Sequence, residues 1–314
     1  MKLSVLKQRT FMLMLTATVL LSGCSHAADD ASRKGKAWSV DALEEAMRKL
    51  EPLATKLGKP RSGDWLARHK EPGQTFREYL RCDPVIPDKK RRVIVIQPLG
   101  TFTAIQRRIV TDTADFMGRY YNMTVRIEKD LPLSVIPAKA RRTHPVWGGR
   151  QILSTYVLDK VLKPRLPKDA FAYIAFTASD LWPGRGWNFV FGQASLRERV
   201  GVWSIHRYGD PSKSDEAYRL ALRRAMQTGT HELGHMMSML HCTAYECNMC
   251  GSNNLAESDR RPIVLCPECV AKVCWATRAD PFARYKRLLD FCEKHGLKPQ
   301  AKMYGQRIEA LIAK

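Results

Sequence analysis

The chain has 314 residues, of which 45% are hydrophobic, and its formal net charge at pH 7 is +21. This hydrophobic fraction is typical of a globular protein, and the sequence has no evident internal repeat, which argues against a repeat array. The positive surplus includes the runs Lys89–Arg92 and Arg141–Arg142. Such runs are more often solvated surface than contacts to anionic lipid or to nucleic acid.

The N-terminal segment has the parts of a secretory signal peptide. The basic residues Lys2, Lys7 and Arg9 precede an apolar run from Phe11 to Leu21. This run is too short for a comfortable membrane span, and its charged flank is typical of a leader that is removed. The sequence therefore predicts a signal peptide over residues 1–23.

The end of this leader, Leu21-Ser22-Gly23-Cys24, resembles a bacterial lipobox, in which the cysteine is lipidated and begins the mature chain. Acyl chains on Cys24 would anchor the protein to a membrane. Ser25 resembles the residue found in cargo sorted to an outer membrane, which applies only to a Gram-negative host. The alternative is an ordinary signal peptide with an incidental cysteine. We expect a lipidated tether over residues 24–37 and a location at the cell envelope, on the periplasmic side of the outer membrane if the host is Gram-negative.

The rest of the chain divides into a helical extension, residues 38–90, and an α/β domain, residues 91–314. Apolar residues recur at helical spacing from Ser39 to Leu57, where Pro52 should kink or end the helix. Alternating strands and helices then predict a mixed α/β fold. The predicted strands are Val93–Ile96, Met123–Ile127, Ala170–Thr177, Trp187–Gln193 and Gly201–Ile205. The predicted helices are Thr103–Tyr121, Gln151–Leu162, one that begins around Ser214, Pro281–Lys294 and Gln300–Ala313. His295, between the last two helices, is interpreted as a surface residue.

Residues 231–241 read HELGHMMSMLH, which predicts a catalytic zinc site. His231 and His235 are four residues apart, so on a helix they share one face and can bind one ion. Zinc bound by three neutral imidazoles keeps a position for water and lowers its pKa towards about 7. Glu232 could then accept the water's proton as general base in a hydrolysis. The alternative is an amphipathic helix with solvent-facing histidines.

The third histidine, His241, requires the helix to end before it. Six residues at about 100° each would carry His241 about 240° around a continuous helix, away from His235. In the pattern HExxHxxGxxH a glycine at the eighth position makes the necessary turn, whereas this chain has Ser238. A non-glycine residue in a left-handed conformation costs about 1–2 kcal/mol. Ser238 is therefore the clearest departure from the pattern.

Four cysteines follow the histidines in two pairs. Cys242 and Cys247 are separated by four residues, and Cys266 and Cys269 form a CxxC. Four thiolates at about 2.3 Å from one ion make a closed tetrahedral zinc site without room for a substrate water. The alternative is two disulfides, which is how exported chains normally use cysteine.

Nearby residues have alternative roles. Met249 lies two residues after Cys247, where it could form a methionine turn beneath the histidines or simply pack in the core. Cys250 is close enough to Cys247 to be a rival ligand. Beyond the lipidation site and the four proposed ligands, the sequence leaves the pairing of the remaining cysteines open: Cys82, Cys250, Cys274 and Cys292.

Together these motif residues resemble the signature of the archaemetzincins, a metzincin-type zinc peptidase family: His231 to His241, Cys242, Cys247, Met249, Cys266 and Cys269. Upstream segments are also similar to the family: Asp180–Pro183, Trp187–Ala194 and Ser204–Tyr208. Gly63–Leu66 and Glu71–Phe76 are similar to an N-terminal stretch of its longer, eukaryotic-type members.

The resemblance implies a metzincin-like mixed sheet with an active-site helix and a small zinc-stabilised C-terminal subdomain, with the four-cysteine module at 242–269. It also implies two zinc ions per chain, one catalytic and one structural, and activity on a peptide or protein substrate. In metzincin-like peptidases a strand at the sheet edge holds the substrate backbone by strand addition. Trp187–Ala194 is the candidate for that edge.

Two other functional classes are alternatives to the peptidase. One is a non-catalytic zinc-binding envelope lipoprotein that acts as a scaffold for a partner, but a scaffold would have no need of the intact Glu232. The other is nucleic-acid binding, which fits the charge but conflicts with an exported chain, so no nucleic acid is expected. The sequence leaves open the substrate, endopeptidase or aminopeptidase action, and the oligomeric state.

Overall fold

The computed structural model describes residues 38–195 and 198–313. The predicted signal peptide, the tether and the lipidation site Cys24 lie outside these residues. Within the described ranges, no helix is both long enough and apolar enough to cross a membrane.

Helices occupy both ends of the described chain, and its strands lie between residues 93 and 204. The helices are α1 Val40–Leu50, α2 Trp65–Arg68, α3 Phe76–Arg81, α4 Ala104–Tyr121, α5 Ser154–Tyr156, α6 Asp215–Met236, α7 Leu255–Arg260, α8 Pro267–Thr277, α9 Pro281–Lys294 and α10 Lys298–Ile312. The strands are β1 Val93–Leu99, β2 Thr124–Ile127, β3 Arg141–Thr143, β4 Arg150–Leu153, β5 Ala170–Thr177, β6 Asp180–Trp182, β7 Gly192–Ser195 and β8 Val200–Ser204.

A five-stranded sheet in the order β2-β1-β5-β8-β7 forms the centre of the molecule. The first four strands are parallel, and β7 runs antiparallel to β8 at one edge. A second sheet has the order β3-β4-β6. The predicted mixed α/β fold is therefore confirmed.

The central sheet separates two buried apolar clusters. Ile94 and Ile96 of β1 face a cluster that includes α4, α6 and the C-terminal helices. Val95 and Leu99 face the other cluster, which is covered by the helical segment Val157–Leu162. Because helices cover both faces, β1 and β5 are apolar along nearly their whole length, as expected of parallel strands.

Residues 38–90 pack onto the same core. Ser39 caps α1, and the helix ends where Pro52 enters a short 3₁₀ turn, as the sequence predicted. Leu43 of α1 and Phe76 and Tyr79 of α3 are buried in the cluster that contains Leu233 of α6. The extension is thus continuous with the domain that holds the histidine motif.

Three details differ from the sequence prediction. Residues 151–153, predicted as the start of a helix, pair with β6 as strand β4, and the helical turns begin only at Ser154. Of the predicted strand Trp187–Gln193, only the last two residues belong to a strand, β7, and Val190 forms an isolated bridge with Leu181. The Arg142 guanidinium takes the carbonyl oxygens of Trp187 and Asn188 as hydrogen-bond acceptors, which competes with strand pairing there.

The third difference is His295, whose interpretation as a surface residue is wrong. Its side chain is 5% exposed, with Nδ1 3.3 Å from Asp112 Oδ2, and its ring stacks on Phe291.

Candidate metal centres

Helix α6 carries the first two histidines on one buried face. Ser214 caps the helix by accepting a hydrogen bond from the Ala217 N–H. His231 and His235 lie one turn apart, and their Nε2 atoms are 3.0 Å apart. Two imidazoles on one tetrahedral zinc, each at about 2.0–2.1 Å, place their nitrogens about 3.3 Å apart. The pair is therefore spaced for a single ion.

The chain reverses direction at Ser238, whose φ of 65° is left-handed. The Ser238 N–H donates to the His235 carbonyl at 2.9 Å, and the Met239 N–H donates to that of Gly234 at 3.1 Å. This is a Schellman motif with serine where glycine is usual. Ser238 Oγ accepts a hydrogen bond from the Val85 N–H at 3.0 Å, a contact that glycine could not make.

This turn returns His241 to the first two histidines. Its ring centroid lies 5.3 Å from that of His231 and 4.8 Å from that of His235. One candidate ligand atom from each of the three residues lies within 4.8 Å of the other two. The structure therefore brings together the three residues that the sequence proposed as ligands. It does so because α6 ends before His241, as the sequence predicted.

The other ring nitrogen of each histidine is already engaged, which leaves Nε2 to face a metal. The hydrogen-bond partner of Nδ1 is a backbone carbonyl in the two helical histidines and a carboxylate in the third. Nδ1 lies 2.7 Å from Asn248 O in His231, 2.7 Å from Met239 O in His235, and 2.9 Å from Glu71 Oε2 in His241. Such outer partners fix the tautomer and orientation of a metal-binding imidazole.

Burial keeps the two helical imidazoles neutral. Desolvation, with the nearby His241, lowers the pKa of His231 to about 3. Desolvation and the other two histidines hold the pKa of His235 well below its usual range. The alternative of solvent-facing histidines does not fit this burial. Neutral imidazoles are the form that binds zinc.

Glu232 follows His231 on α6 and is 1% exposed. Its Oε2 has no hydrogen-bond partner among the described residues. The carboxylate lines a cavity of about 50 Å³ together with His231, Phe191, Thr228 and Leu255. Burial raises the pKa of Glu232 to about 8, and a cation held by the histidines would lower it again. A buried carboxylate oxygen without a partner is unusual in a native structure and calls for an explanation.

Met249 lies beneath the histidine helix and is fully buried. A Cβ atom at Gly234 would lie 2.6 Å from Met249 Sδ, so the absence of a side chain at Gly234 allows this approach. The Met249 carbonyl accepts a hydrogen bond from the Cys242 N–H at 2.8 Å. Met249 thus contacts both the histidine helix and the start of the cysteine module.

The four predicted cysteine ligands form a second, fully enclosed cluster. Their sulfur atoms all lie within 4.8 Å of one another, and each residue is buried: Cys242, Cys247, Cys266 and Cys269. Cys242 Sγ and Cys266 Sγ are 3.7 Å apart. Two thiolates on a tetrahedral zinc would be about 3.8 Å apart, whereas a disulfide requires about 2.05 Å. The geometry fits one zinc and not the two-disulfide alternative.

The surroundings of this cluster suit thiolates. Backbone N–H groups of Met249 and Cys266 donate to Cys247 Sγ at 3.5 and 3.3 Å. Hydrogen bonds among the sulfurs hold the pKa of Cys242 far below its usual range and the pKa values of Cys266 and Cys269 above theirs, so a bound cation is needed to make all four residues thiolates. Zinc binds cysteine as the thiolate.

The other cysteines play different parts. Cys250, the possible rival ligand, donates from Sγ to the Tyr245 carbonyl at 3.1 Å and is not one of the four clustered sulfurs. Cys274 and Cys292 are buried thiols, and Cys82 is exposed.

Sequence reasoning missed Glu71 as a functional residue. It falls in a segment whose family similarity was recognised, but nothing in the sequence pairs it with His241, 170 positions away. The carbonyls of Asn248 and Met239 carry no side-chain signature and could not have been found.

The comparison with known proteins decides the family. Residues 99–274, more than half of the chain, match the model of Peptidase family M54. The chain belongs to peptidase family M54. The archaemetzincin resemblance of its motifs is thereby confirmed, and the chain is a zinc-dependent metallopeptidase by family.

M54 relatives extend the similarity beyond the matched domain. Archaemetzincin-2 of Homo sapiens is 33% identical over 284 residues, covering 79% of this chain and 77% of the relative. Archaemetzincin of Thermococcus kodakarensis is 33% identical over 190 residues, covering 58% of this chain and 95% of the relative. The crystal structure of archaemetzincin from Methanopyrus kandleri is 26% identical, covers 62% of this chain and 99% of that one, and gives a TM-score of 0.47.

Proposed function

We propose that the chain hydrolyses peptide bonds at the centre formed by His231, His235 and His241, with Glu232 as general base. The observation that carries this proposal is the Glu232 carboxylate. It is 1% exposed and lines the same cavity as His231, and its Oε2 has no partner among the described residues. A residue with a purely structural role would be expected to have its buried oxygen satisfied.

Each residue in this centre has a definite task. The three imidazoles would hold zinc through Nε2, and the bound ion supplies Lewis-acid chemistry for the carbonyl and for water. Glu232 accepts a proton from the attacking water and returns it to the amine leaving group. The wall of the 50 Å³ cavity, with Phe191 and Leu255, limits the water that reaches the carboxylate.

A second zinc ion is proposed at the four cysteines, with a structural role. Its support is the closed set of buried sulfurs and the 3.7 Å separation of Cys242 Sγ and Cys266 Sγ. The site has no open position for water, because the chain supplies all four ligands.

The substrate backbone is proposed to bind at the edge of the central sheet. Strand β7, which overlaps the candidate segment Trp187–Ala194, lies last in the order of the five strands. A peptide could add to such an edge by main-chain hydrogen bonds. Phe191, at the start of this edge, also lines the cavity of Glu232, so a bound peptide would pass close to the base.

The test is Glu232→Gln, which keeps the shape of the side chain and removes its basicity. Loss of general base catalysis should lower turnover of a mixed peptide library by about 10²–10⁴-fold, while zinc content stays at the wild-type value. Glu216→Gln is the matched control, because Glu216 lies in the exposed first turn of the same helix. Wild-type turnover by Glu232→Gln would overturn the mechanism. A zinc-loaded wild-type protein without peptidase activity would favour the partner-binding scaffold instead.

The proposal includes a location at the cell envelope through lipid on Cys24. Its support is the basic and apolar leader followed by the lipobox-like Leu21–Cys24. Cys24→Ala should abolish incorporation of labelled fatty acid and release the protein from the membrane fraction. Unchanged fractionation without lipid incorporation in the wild type would favour an ordinary signal peptide.

A further inference from the structure

The three histidines differ in where their outer partners come from. His231 and His235 bind carbonyl oxygens of Asn248 and Met239, inside the region that matches the family model. His241 binds Glu71, which precedes the matched region 99–274 by 28 positions. The third candidate ligand is thus oriented by the N-terminal extension and not by the catalytic domain.

The contact is well formed and largely shielded from solvent. Nδ1 of His241 lies 3.0 and 2.9 Å from the two carboxylate oxygens of Glu71, and the side chains are 11% and 25% exposed, respectively. The Trp65 ring packs edge-on against His241, with centroids 5.3 Å apart. The backbone N–H of Trp65 donates to both carboxylate oxygens of Glu257, which holds Trp65 in place. Partial burial strengthens a charge-assisted hydrogen bond.

The same stretch of the extension also holds the turn before His241. The Gln74 side chain donates to the Ser238 carbonyl at 3.3 Å and accepts from the Leu240 N–H at 3.2 Å. The Tyr79 hydroxyl donates to the Met237 carbonyl at 2.8 Å. The strained turn is therefore supported from residues 71–85, which fixes the backbone from which His241 projects.

A carboxylate behind a metal-binding imidazole has a known chemical effect. It fixes the proton on Nδ1, points Nε2 at the ion and makes the ligand more basic, and its loss typically costs about 10–100-fold in metal affinity or activity. The carbonyl partners of His231 and His235 orient their rings but carry no charge. Glu71 is the partner that adds negative charge to the outer shell of the histidine centre.

We propose that Glu71 is a positioning residue of the catalytic centre, which links the N-terminal extension to the metal-binding unit through this side chain. The inference rests on the proposed function, because it assumes that His241 is a zinc ligand. It predicts that the extension tunes zinc affinity through His241 Nδ1, beyond its contribution to the core.

The test compares Glu71→Gln and Glu71→Ala in the full mature chain, with Co²⁺ as the metal probe. The chain is first treated with a mild chelator and then titrated with Co²⁺, whose visible bands distinguish imidazole ligands from thiolate ligands. Glu71→Ala should weaken Co²⁺ at the imidazole site by about 10–100-fold and leave the thiolate bands unchanged. Glu71→Gln keeps an acceptor for His241 Nδ1, so its Co²⁺ affinity should lie between those of the wild type and Glu71→Ala.

Glu78→Ala is the matched control. Glu78 lies in the same stretch and completes the capping box of α3 with Thr75, so its loss should lower the melting temperature without changing Co²⁺ affinity. Wild-type affinity in Glu71→Ala would overturn the inference, as would an equal loss of affinity in Glu78→Ala. If the wild type itself gives no imidazole-site Co²⁺ spectrum and His235→Ala changes nothing, the proposed catalytic centre fails instead.

Discussion

The two candidate metal sites lie on one continuous stretch of chain but are built in opposite ways. The cysteine site takes all four sulfurs from residues 242–269, and backbone N–H groups from the same stretch support them. The histidine site takes its ligands from the end of a long helix and a strained turn, and one outer partner from position 71. Moreover, His231 borders a cavity, whereas the four sulfurs are enclosed.

This difference separates the roles of the two sites. A closed set of local ligands suits a metal that stabilises a loop-rich segment, since binding energy becomes folding energy. An open set with an unpartnered carboxylate suits chemistry. Damage to the first site should therefore unfold the protein, and damage to the second should spare the fold.

The largest expected effect comes from Cys266→Ser. Structural zinc in small zinc-dependent folds contributes about 10–16 kcal/mol of binding free energy that is coupled to folding, so the variant should lose one zinc and most of its soluble folded form. Circular dichroism and zinc analysis measure both. Cys82→Ser, at an exposed position, should keep its fold and its zinc. A folded Cys266→Ser protein with wild-type zinc content would remove the distinction between the sites.

Graded chelation should separate the sites without mutation. Because the histidine centre borders a cavity and the sulfurs are buried, we expect a chelator to abolish peptidase activity while the far-ultraviolet circular dichroism spectrum is still native. Added zinc should then restore activity. Simultaneous loss of activity and fold would mean that the two sites behave as one unit.

Gly234→Ala probes the layer beneath the histidine helix. The new Cβ would lie 2.6 Å from Met249 Sδ and 3.3 Å from the Tyr121 hydroxyl, and overpacking of this kind costs about 1–3 kcal/mol. Urea denaturation should show the loss. Gly305→Ala, in the interior of α10 with nothing within 4 Å of its Cβ, should instead stabilise the protein by about 0.5–1 kcal/mol. Equal changes in stability at the two glycines would show that the Met249 side chain can move away from the new Cβ without cost.

The smallest effect is expected at Ser238. Glycine there would relieve the left-handed strain of about 1–2 kcal/mol but lose the hydrogen bond from Val85, worth about 1 kcal/mol, so Ser238→Gly should change the unfolding free energy little. Ser238→Ala keeps the strain and loses the hydrogen bond, so it should destabilise the protein by about 1 kcal/mol. Denaturation curves of both variants test this. Strong stabilisation by glycine would mean that the Val85 contact contributes nothing.

Much of this architecture could be predicted from local patterns. The apolar runs of β1 and β5, the helix start near Ser214 and the spacing of His231 and His235 are local signals that depend on neighbouring residues and not on distant partners. The CxxC at Cys266 and Cys269 is similarly local. The need for a turn before His241 followed from helix geometry alone.

The errors arose where contacts with residues far away in the sequence decide the local structure or the burial of a side chain. Trp187–Gln193 has the composition of a strand, but Arg142 takes two of its carbonyl oxygens and so competes with pairing. Residues 151–153 form a strand because β6 offers a partner, which no local pattern records. The His295 side chain is only 5% exposed because Asp112 and Phe291 approach it from α4 and α9.

The sequence by itself therefore determined the types of the candidate ligands, their order and the family, because each depends on residue identity and short spacing. Tertiary structure decided which groups hydrogen-bond to the candidate ligands or pack against them. Glu71, the Asn248 carbonyl and Met249 reach the histidine centre only after distant segments pack together. Spacing fixes what can bind a metal within one turn of helix, whereas contacts over more than a hundred residues are set by the shared core that buries both partners.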